Sequence, residues 1–182
     1  IGIIENGQLQ QVKVFGEITK DKPAPYNSIF NVASLTKPVT ALVALKLVSL
    51  GKWNLDEPIY PYWIDPDIAK DPRHKKITTR LILSHQTGFP NWRFMTENIL
   101  DTRYTWNKNI DSGRFTIGYY KDGNPYETVK NKTANAADDL LTTIADYGTF
   151  LVSVMNGDGL TKNIYDEMSS KQVASSKSKH FG

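Results

Sequence analysis

Ser34 and Lys37 stand three residues apart in Phe30-Asn31-Val32-Ala33-Ser34-Leu35-Thr36-Lys37-Pro38-Val39-Thr40, where an irregular stretch passes into a nearly all-apolar run that ends at Leu50. Residues three apart on a helix share a face, so the spacing brings the serine hydroxyl and the lysine amine within hydrogen-bond reach. A serine hydroxyl is a weak nucleophile until an adjacent base takes its proton. A lysine walled in by apolar neighbours can be that base, because desolvation disfavours its charged form. A helix start also offers backbone N–H groups without intrahelical partners and the positive end of the helix dipole, both suited to an anionic oxygen. The chemistry these parts could perform is acyl transfer, with Ser34 attacking a carbonyl, Lys37 as its base and the helix-start N–H groups facing the anionic oxygen.

Spacing alone is a weak signal, because Ser-x-x-Lys occurs three times, at Ser34/Lys37, Ser49/Lys52 and Ser176/Lys179. The second copy straddles Gly51, a C-cap residue for the preceding helix. The third lies in the solvated polar run Ser175-Ser176-Lys177-Ser178-Lys179. Only the first joins a helix start to an apolar body.

The elements that must position this pair follow from pattern. Ile1 to Ile4 and Leu9 to Gly16 flank Asn6-Gly7, the strongest two-residue hairpin signal. Lys20 to Asn27, with Pro23 and Pro25, reads as a loop, and Ser28 to Asn31 as a short extended lead into Ser34. Pro38 cannot donate a backbone hydrogen bond and so limits how far upstream a regular helix begins. Val39 to Leu50 is apolar nearly all round, which predicts a helix buried on most sides, with Lys46 snorkelling to water. Trp53 to Pro72 holds four prolines with Tyr60, Tyr62 and Trp63 and reads as irregular, held down by aromatics. Ile77 to Ser84 is a short helix after a threonine cap. Arg114 to Lys130 suggests two strands around Lys121-Asp122-Gly123-Asn124, Asp139 to Asn156 an amphipathic helix, and Leu160 to Gln172 another short helix.

Three stretches resemble, in order and spacing, the serine β-lactamase-related family of class C β-lactamases, DD-peptidases and esterases. Asn31 to Ala41 is similar to its nucleophile segment. Gly51-Lys52-Trp53-Asn54-Leu55-Asp56-Glu57-Pro58 is similar to the turn that follows. Ile77-Thr78-Thr79-Arg80-Leu81-Ile82-Leu83-Ser84-His85-Gln86-Thr87-Gly88-Phe89-Pro90 is similar to the signature after that. The resemblance implies an α+β fold of the β-lactamase/transpeptidase type, an antiparallel sheet flanked by helices. It implies Ser34 and Lys37 as catalytic residues, an acyl-enzyme formed on a β-lactam, a D-alanyl peptide or a small ester, no cofactor, and an extracytoplasmic location. The alternative is a penicillin-binding-like module that holds peptide or cell-wall ligands without turnover.

The resemblance breaks in places. No Tyr-x-Asn motif occurs, and Asn91 to Asn98 runs almost directly into Ile99 to Tyr104, so residues 1–182 read as a partial domain lacking a segment between about 93 and 101. A jump in Cα spacing between Arg93 and Asp101 would follow from a simple gap. Asp138-Asp139 stand where the family has two glycines. Lys179-His180-Phe181-Gly182 matches His-x-Gly by letters, but Phe181-Gly182 reads better as the start of a family strand, so the third motif, Lys-Thr-Gly or His-x-Gly, is expected beyond this point. Without the tyrosine motif and the second oxyanion strand, this piece alone is expected to turn over little.

Composition bounds the rest. Forty per cent hydrophobic and 23% charged residues mark a globular chain. No stretch approaches the roughly 20 apolar residues of a membrane span. The absence of an initiator Met or signal-peptide pattern at Ile1 reads as an N-terminus that was processed or cut. Zero cysteines exclude disulfides and thiol catalysis. A net charge of +3, with Arg73-His74-Lys75-Lys76 and Lys171 to His180 as solvated faces and no interleaved aromatics, argues against nucleic acid. His74, His85 and His180 lack metal-ligand spacing. Letters alone leave a Ser-His-Asp triad using His85 open, while the resemblance gives it a structural place, packing its turn. Substrate, small molecule or peptide, is the one partner implied; the oligomeric state is open.

Overall fold

Asn6 and Gly7 both take positive φ, 52° and 69°, in the computed structural model, which describes residues 1–89, 113–126, 136–137, 140–174 and 180–181. Two such residues make the turn whose twist matches a hairpin, and β1 (Gly2–Glu5) pairs antiparallel with β2 (Gln8–Val12). The chain forms two compact units, Ile1–Thr40 with Phe94–Asp158, and Ala41–Arg93 with Gly159–Gly182.

In the first unit a second small hairpin, β3 (Glu17–Thr19) with β4 (Lys22–Pro23), replaces part of the expected loop. Asp21 takes φ 60° at its turn, and its N–H is held by Glu17 Oε2 at 2.9 Å. Ile18 is buried beneath it. β5 (Phe30–Asn31) pairs with β6 (Leu141–Thr142), Phe30 opposite Thr142 and Asn31 opposite Leu141. The helix expected from Asp139 therefore begins later, as α3 (Ile144–Asn156), because β-branched Thr142 and Thr143 stay extended. On the other edge, Ile29 N–H donates to the Arg114 carbonyl at 2.8 Å and Thr116 N–H to the Ile29 carbonyl at 2.9 Å. The approach to Ser34 is thus held from both sides. Of the two strands expected around residues 121–124, the described residues show one bridge, Tyr119 with Pro125, in which Tyr120 N–H donates to the Asn124 carbonyl and Tyr126 N–H to the Gly118 carbonyl, both at 2.8 Å; residues 127–130 lie outside the described residues.

α3 packs on the β1–β2 hairpin, and its buried Gly148 has a structural reason that pattern alone concealed. A Cβ there would sit 2.8 Å from Leu9 Cδ1. Buried Thr143 caps α3 reciprocally: its Oγ1 accepts from Asp146 N–H at 3.1 Å and donates to Asp146 Oδ2 at 2.8 Å. Thr143→Ala is expected to cost about 1 kcal/mol, read as a lower urea midpoint at unchanged slope. An unmoved midpoint would show that water replaces the cap.

In the second unit, the later turns of α1 (Thr36–Ser49) end at Gly51, φ 66°, in a Schellman arrangement. Gly51 N–H donates to the Val48 carbonyl and Lys52 N–H to the Leu47 carbonyl, both at 2.9 Å. Leu45 and Leu55 are buried, but Val43, Leu47 and Leu50 are 58%, 38% and 54% exposed, so the helix expected to be buried on most sides is covered on one. An all-apolar pattern states what a helix can bury and not what is present to bury it. Lys46 does not simply reach water: its Nζ donates to the Gly159 carbonyl.

Residues 53–76 carry two 3₁₀ turns, Pro66–Ile68 and Pro72–Lys76, each capped by the aspartate before its proline, Asp65 and Asp71. Trp53 stacks obliquely on Tyr62 at 5.0 Å and donates from Nε1 to Thr79 Oγ1 at 2.8 Å. Tyr62 and Trp63 stay exposed, so the aromatics hold this stretch only in part. α2 (Thr79–Leu83) is capped by Thr78, α4 spans Lys162–Met168, and β7 (Val173–Ala174) pairs with β8 (His180–Phe181).

Arg80 binds Asp56 through Nε at 2.7 Å and Nη2 at 3.0 Å, and also binds Glu167. The Arg80 hydrogen bonds hold the Asp56 carboxyl below its ordinary value of 3.8, opposed by slight desolvation and aided by Coulomb attraction. A lowered folded-state value stabilises the fold fully above the unfolded value, and that contribution fades as pH falls through the folded one. The stability gap between wild type and Arg80→Met should therefore be widest above pH 3.8 and close in more acid solution. Parallel acid-unfolding curves for the two proteins would contradict this.

Candidate active site

Ser34 lies in a 3₁₀ turn, Ala33–Leu35, that runs directly into α1. Pro38 is the third residue of α1, inside the first turn, where no intrahelical partner awaits its missing N–H. Ala33, just before the serine, holds φ 45°, a left-handed conformation that a side chain disfavours. Three bonds hold it there. Its N–H donates to Asn31 Oδ1 at 2.8 Å, and its carbonyl accepts from Thr36 Oγ1 at 2.7 Å and from the Thr36 backbone N–H.

Lys37 Nζ lies 2.9 Å from Ser34 Oγ and 3.0 Å from the Ala137 carbonyl oxygen. As an ammonium it donates to both. As a neutral amine it can keep one N–H on Ala137 and turn its lone pair toward the serine O–H. One geometry thus serves both the taking and the returning of a proton. Thr40 Oγ1 donates to the Ala136 carbonyl at 2.6 Å, and Leu140 N–H donates to Thr36 Oγ1 at 3.0 Å, so the segment carrying Ala137 lies along the first turn of α1. Tyr147, on α3, donates from its hydroxyl to the Leu35 carbonyl at 3.1 Å, and desolvation raises its pKa. Its proton is therefore committed to the backbone.

One expectation is corrected. Ser34 and Lys37 are exposed, and among the described residues Lys37 Nζ is held by two oxygens instead of being walled in by apolar side chains. The apolar residues of α1 follow the lysine along the helix without enclosing it. The Ala137 carbonyl left no trace in the sequence, because a backbone acceptor 100 residues away has no side-chain signature. Thr36 and Thr40 did leave one: Thr40 stands four residues after Thr36 and three after Lys37, spacings that make it a neighbour of both on the helix surface.

The other candidates separate from this arrangement. Ser49 Oγ accepts the Thr161 N–H at 3.1 Å, and Lys52 lies beyond the end of α1. His74 is buried, with Nδ1 2.6 Å from the Asp71 carbonyl. His85 is exposed and takes a left-handed φ of 57° after α2. Among the described residues, no group of three His, Asp or Glu side chains could hold a metal ion, and no helix is long and apolar enough to cross a membrane. The chain junction between Arg93 and Asp101, Asp138-Asp139 and the Ser176/Lys179 pair lie outside the described residues.

Comparison with known proteins supplies the context. A family model described as Beta-lactamase matches residues 1–104. A probable fimbrial assembly protein FimD, serogroup H1, from Dichelobacter nodosus is 25% identical across 88% of this chain and 44% of its own length. Esterase EstB from Burkholderia gladioli is 34% identical over 74 residues, 39% of this chain and 18% of the esterase. The chain thus spans less than half the length of these curated relatives. Among solved structures, an octameric penicillin-binding protein homologue from Pyrococcus abyssi superposes with a TM-score of 0.71 at 19% identity, covering 96% of this chain and 56% of that one. That likeness shows the fold: β-lactamase/transpeptidase-like, with mixed helices and small antiparallel sheets in keeping with part of such a domain.

Proposed function

The chain belongs to the Beta-lactamase family, a family of serine hydrolases, and from that premise we propose that it works through an acyl-enzyme on Ser34, with Lys37 as its proton carrier. The observation that carries the reading is the placing of Lys37 Nζ 2.9 Å from Ser34 Oγ while Ala137 takes its other hydrogen bond. Ser34 Oγ bonds to the substrate carbonyl carbon as its proton passes to Nζ. The bond to the leaving nitrogen or oxygen then breaks, and Nζ returns the proton to that atom. Water hydrolyses the ester in a second turn of the same steps. The Ser34 N–H, at a helix start that leaves backbone donors without intrahelical acceptors, serves as a donor to the developing oxyanion.

The substrate is a β-lactam, a D-alanyl peptide or a small ester, handled outside the cytoplasm; the matched esterase favours the ester. The exposure of Lys37 is the observation that favours the second reading, a module that binds such ligands without turnover. Intact-mass measurement after incubation with a fluorescent penicillin, and separately with a p-nitrophenyl ester, separates the two. A stable or transient acyl adduct is expected on the intact protein. No adduct from either probe, at concentrations where binding is detected, would leave the non-catalytic module standing.

A further inference from the structure

Thr36 is the one polar side chain between the nucleophile and the base in sequence, and at 7% exposure it is buried while both of them are exposed. A threonine hydroxyl has one proton to give and lone pairs to receive, and here it uses both. It donates to the carbonyl of Ala33, at 2.7 Å, and accepts from the N–H of Leu140, at 3.0 Å. The first bond acts on the nucleophile side. Ala33 at φ 45° is in a conformation that persists only when its surroundings over-determine it, and the residue it turns is Ser34. The second bond acts on the base side. Leu140 lies three residues after Ala137, whose carbonyl holds Lys37 Nζ, and its own carbonyl is tied to Val32 N–H at 3.2 Å. One buried hydroxyl is therefore bonded both to the turn that presents Ser34 and to Leu140, three residues after the carbonyl that holds Lys37.

We propose that Thr36 is a positioning residue for acyl transfer, setting the Ser34–Lys37 geometry through these two bonds without touching substrate. The proposal rests on the reading of Ser34 as nucleophile, and its test must keep the two apart. The acylation rate of the intact protein is measured with a p-nitrophenyl ester over a range of concentrations, per folded molecule counted by circular dichroism, for wild type, Ser34→Ala, Thr36→Val and Thr36→Ser. A displacement of the order of 1 Å costs on the order of 10²-fold in rate. Thr36→Val, which keeps the shape and removes the hydroxyl, should thus lower the limiting acylation rate by about 10- to 100-fold with half-saturation nearly unchanged. Thr36→Ser keeps both bonds and should stay within about threefold of wild type. A residue that merely holds the fold would lower the folded fraction and leave the rate per folded molecule alone.

If Ser34→Ala acylates like wild type, the nucleophile assignment fails and this proposal with it. If Ser34→Ala is inert while Thr36→Val keeps the wild-type rate, only the positioning role is overturned. A Thr36→Ser variant as slow as Thr36→Val would also overturn it, because the methyl and not the hydroxyl would then matter. Should Thr36→Val fail to fold, Thr36→Ala, a good helix former, takes its place; if neither folds, Thr36 is part of the scaffold and the proposal falls.

Discussion

Ser34→Ala abolishes covalent labelling by penicillins and activated esters, with the intact mass unchanged after incubation at concentrations that modify the wild type completely. The expectation rests on what else stands near the site. The chain has no cysteine. The hydroxyl of Thr36 is committed to Ala33 and that of Thr40 to Ala136, the latter at 2.6 Å, so neither proton is free to leave toward a base. Tyr147 gives its proton to the Leu35 carbonyl and is raised in pKa by desolvation, which makes it a poor nucleophile at neutral pH. Ser49→Ala is the internal control. It carries the same Ser-x-x-Lys lettering, but its hydroxyl receives the Thr161 N–H and its lysine lies past the helix end. Labelling of Ser49→Ala should match wild type while its stability falls by the loss of one exposed hydrogen bond, at most about 1 kcal/mol. An adduct of undiminished mass on Ser34→Ala would place the nucleophile elsewhere in the chain.

What made the helix start at Ser34 legible was local. The i,i+3 spacing, Pro38 in the first helical turn and Gly51 past the last one are all choices that a helix imposes on its own residues. The Asn6-Gly7 hairpin was legible for the same reason. What was hidden came from pairing across the chain. β6 consists of two residues, Leu141 and Thr142, whose partner strand lies 111 positions earlier at Phe30 and Asn31; two residues carry no periodicity to read. The Ala137 carbonyl is a backbone group, available at every position and therefore marked at none. Gly148 carries no mark of its packing in the sequence, because the Leu9 side chain that claims its space belongs to a different element. The burial of Lys37 was inferred from the apolar residues that follow it, yet enclosure is a property of what surrounds a side chain in space. The exposed Val43, Leu47 and Leu50 teach the same lesson on the same helix.

Lys37→Ala lowers the acylation rate by at least about 10²-fold, the low end for loss of a general base. The exposure of the lysine decides which end of that range applies. In a sealed site nothing could stand in for the amine, and the loss would approach the upper end of about 10⁴-fold. Here solvent reaches Nζ, so a water molecule can enter the space the side chain leaves and serve as a poor proton acceptor beside Ser34. Lys37→Arg does not restore the rate. The guanidinium can still donate to Ser34 Oγ and to the Ala137 carbonyl, so it preserves charge and hydrogen bonds, but it stays protonated and cannot accept the serine proton. The comparison isolates base function from electrostatic attraction: if Lys37 served only to attract an anionic substrate, Lys37→Arg would label nearly as fast as wild type. A Lys37→Arg variant that keeps more than about a tenth of the wild-type acylation rate would therefore remove Lys37 from the role of base and leave it as a positive charge at the mouth of the site.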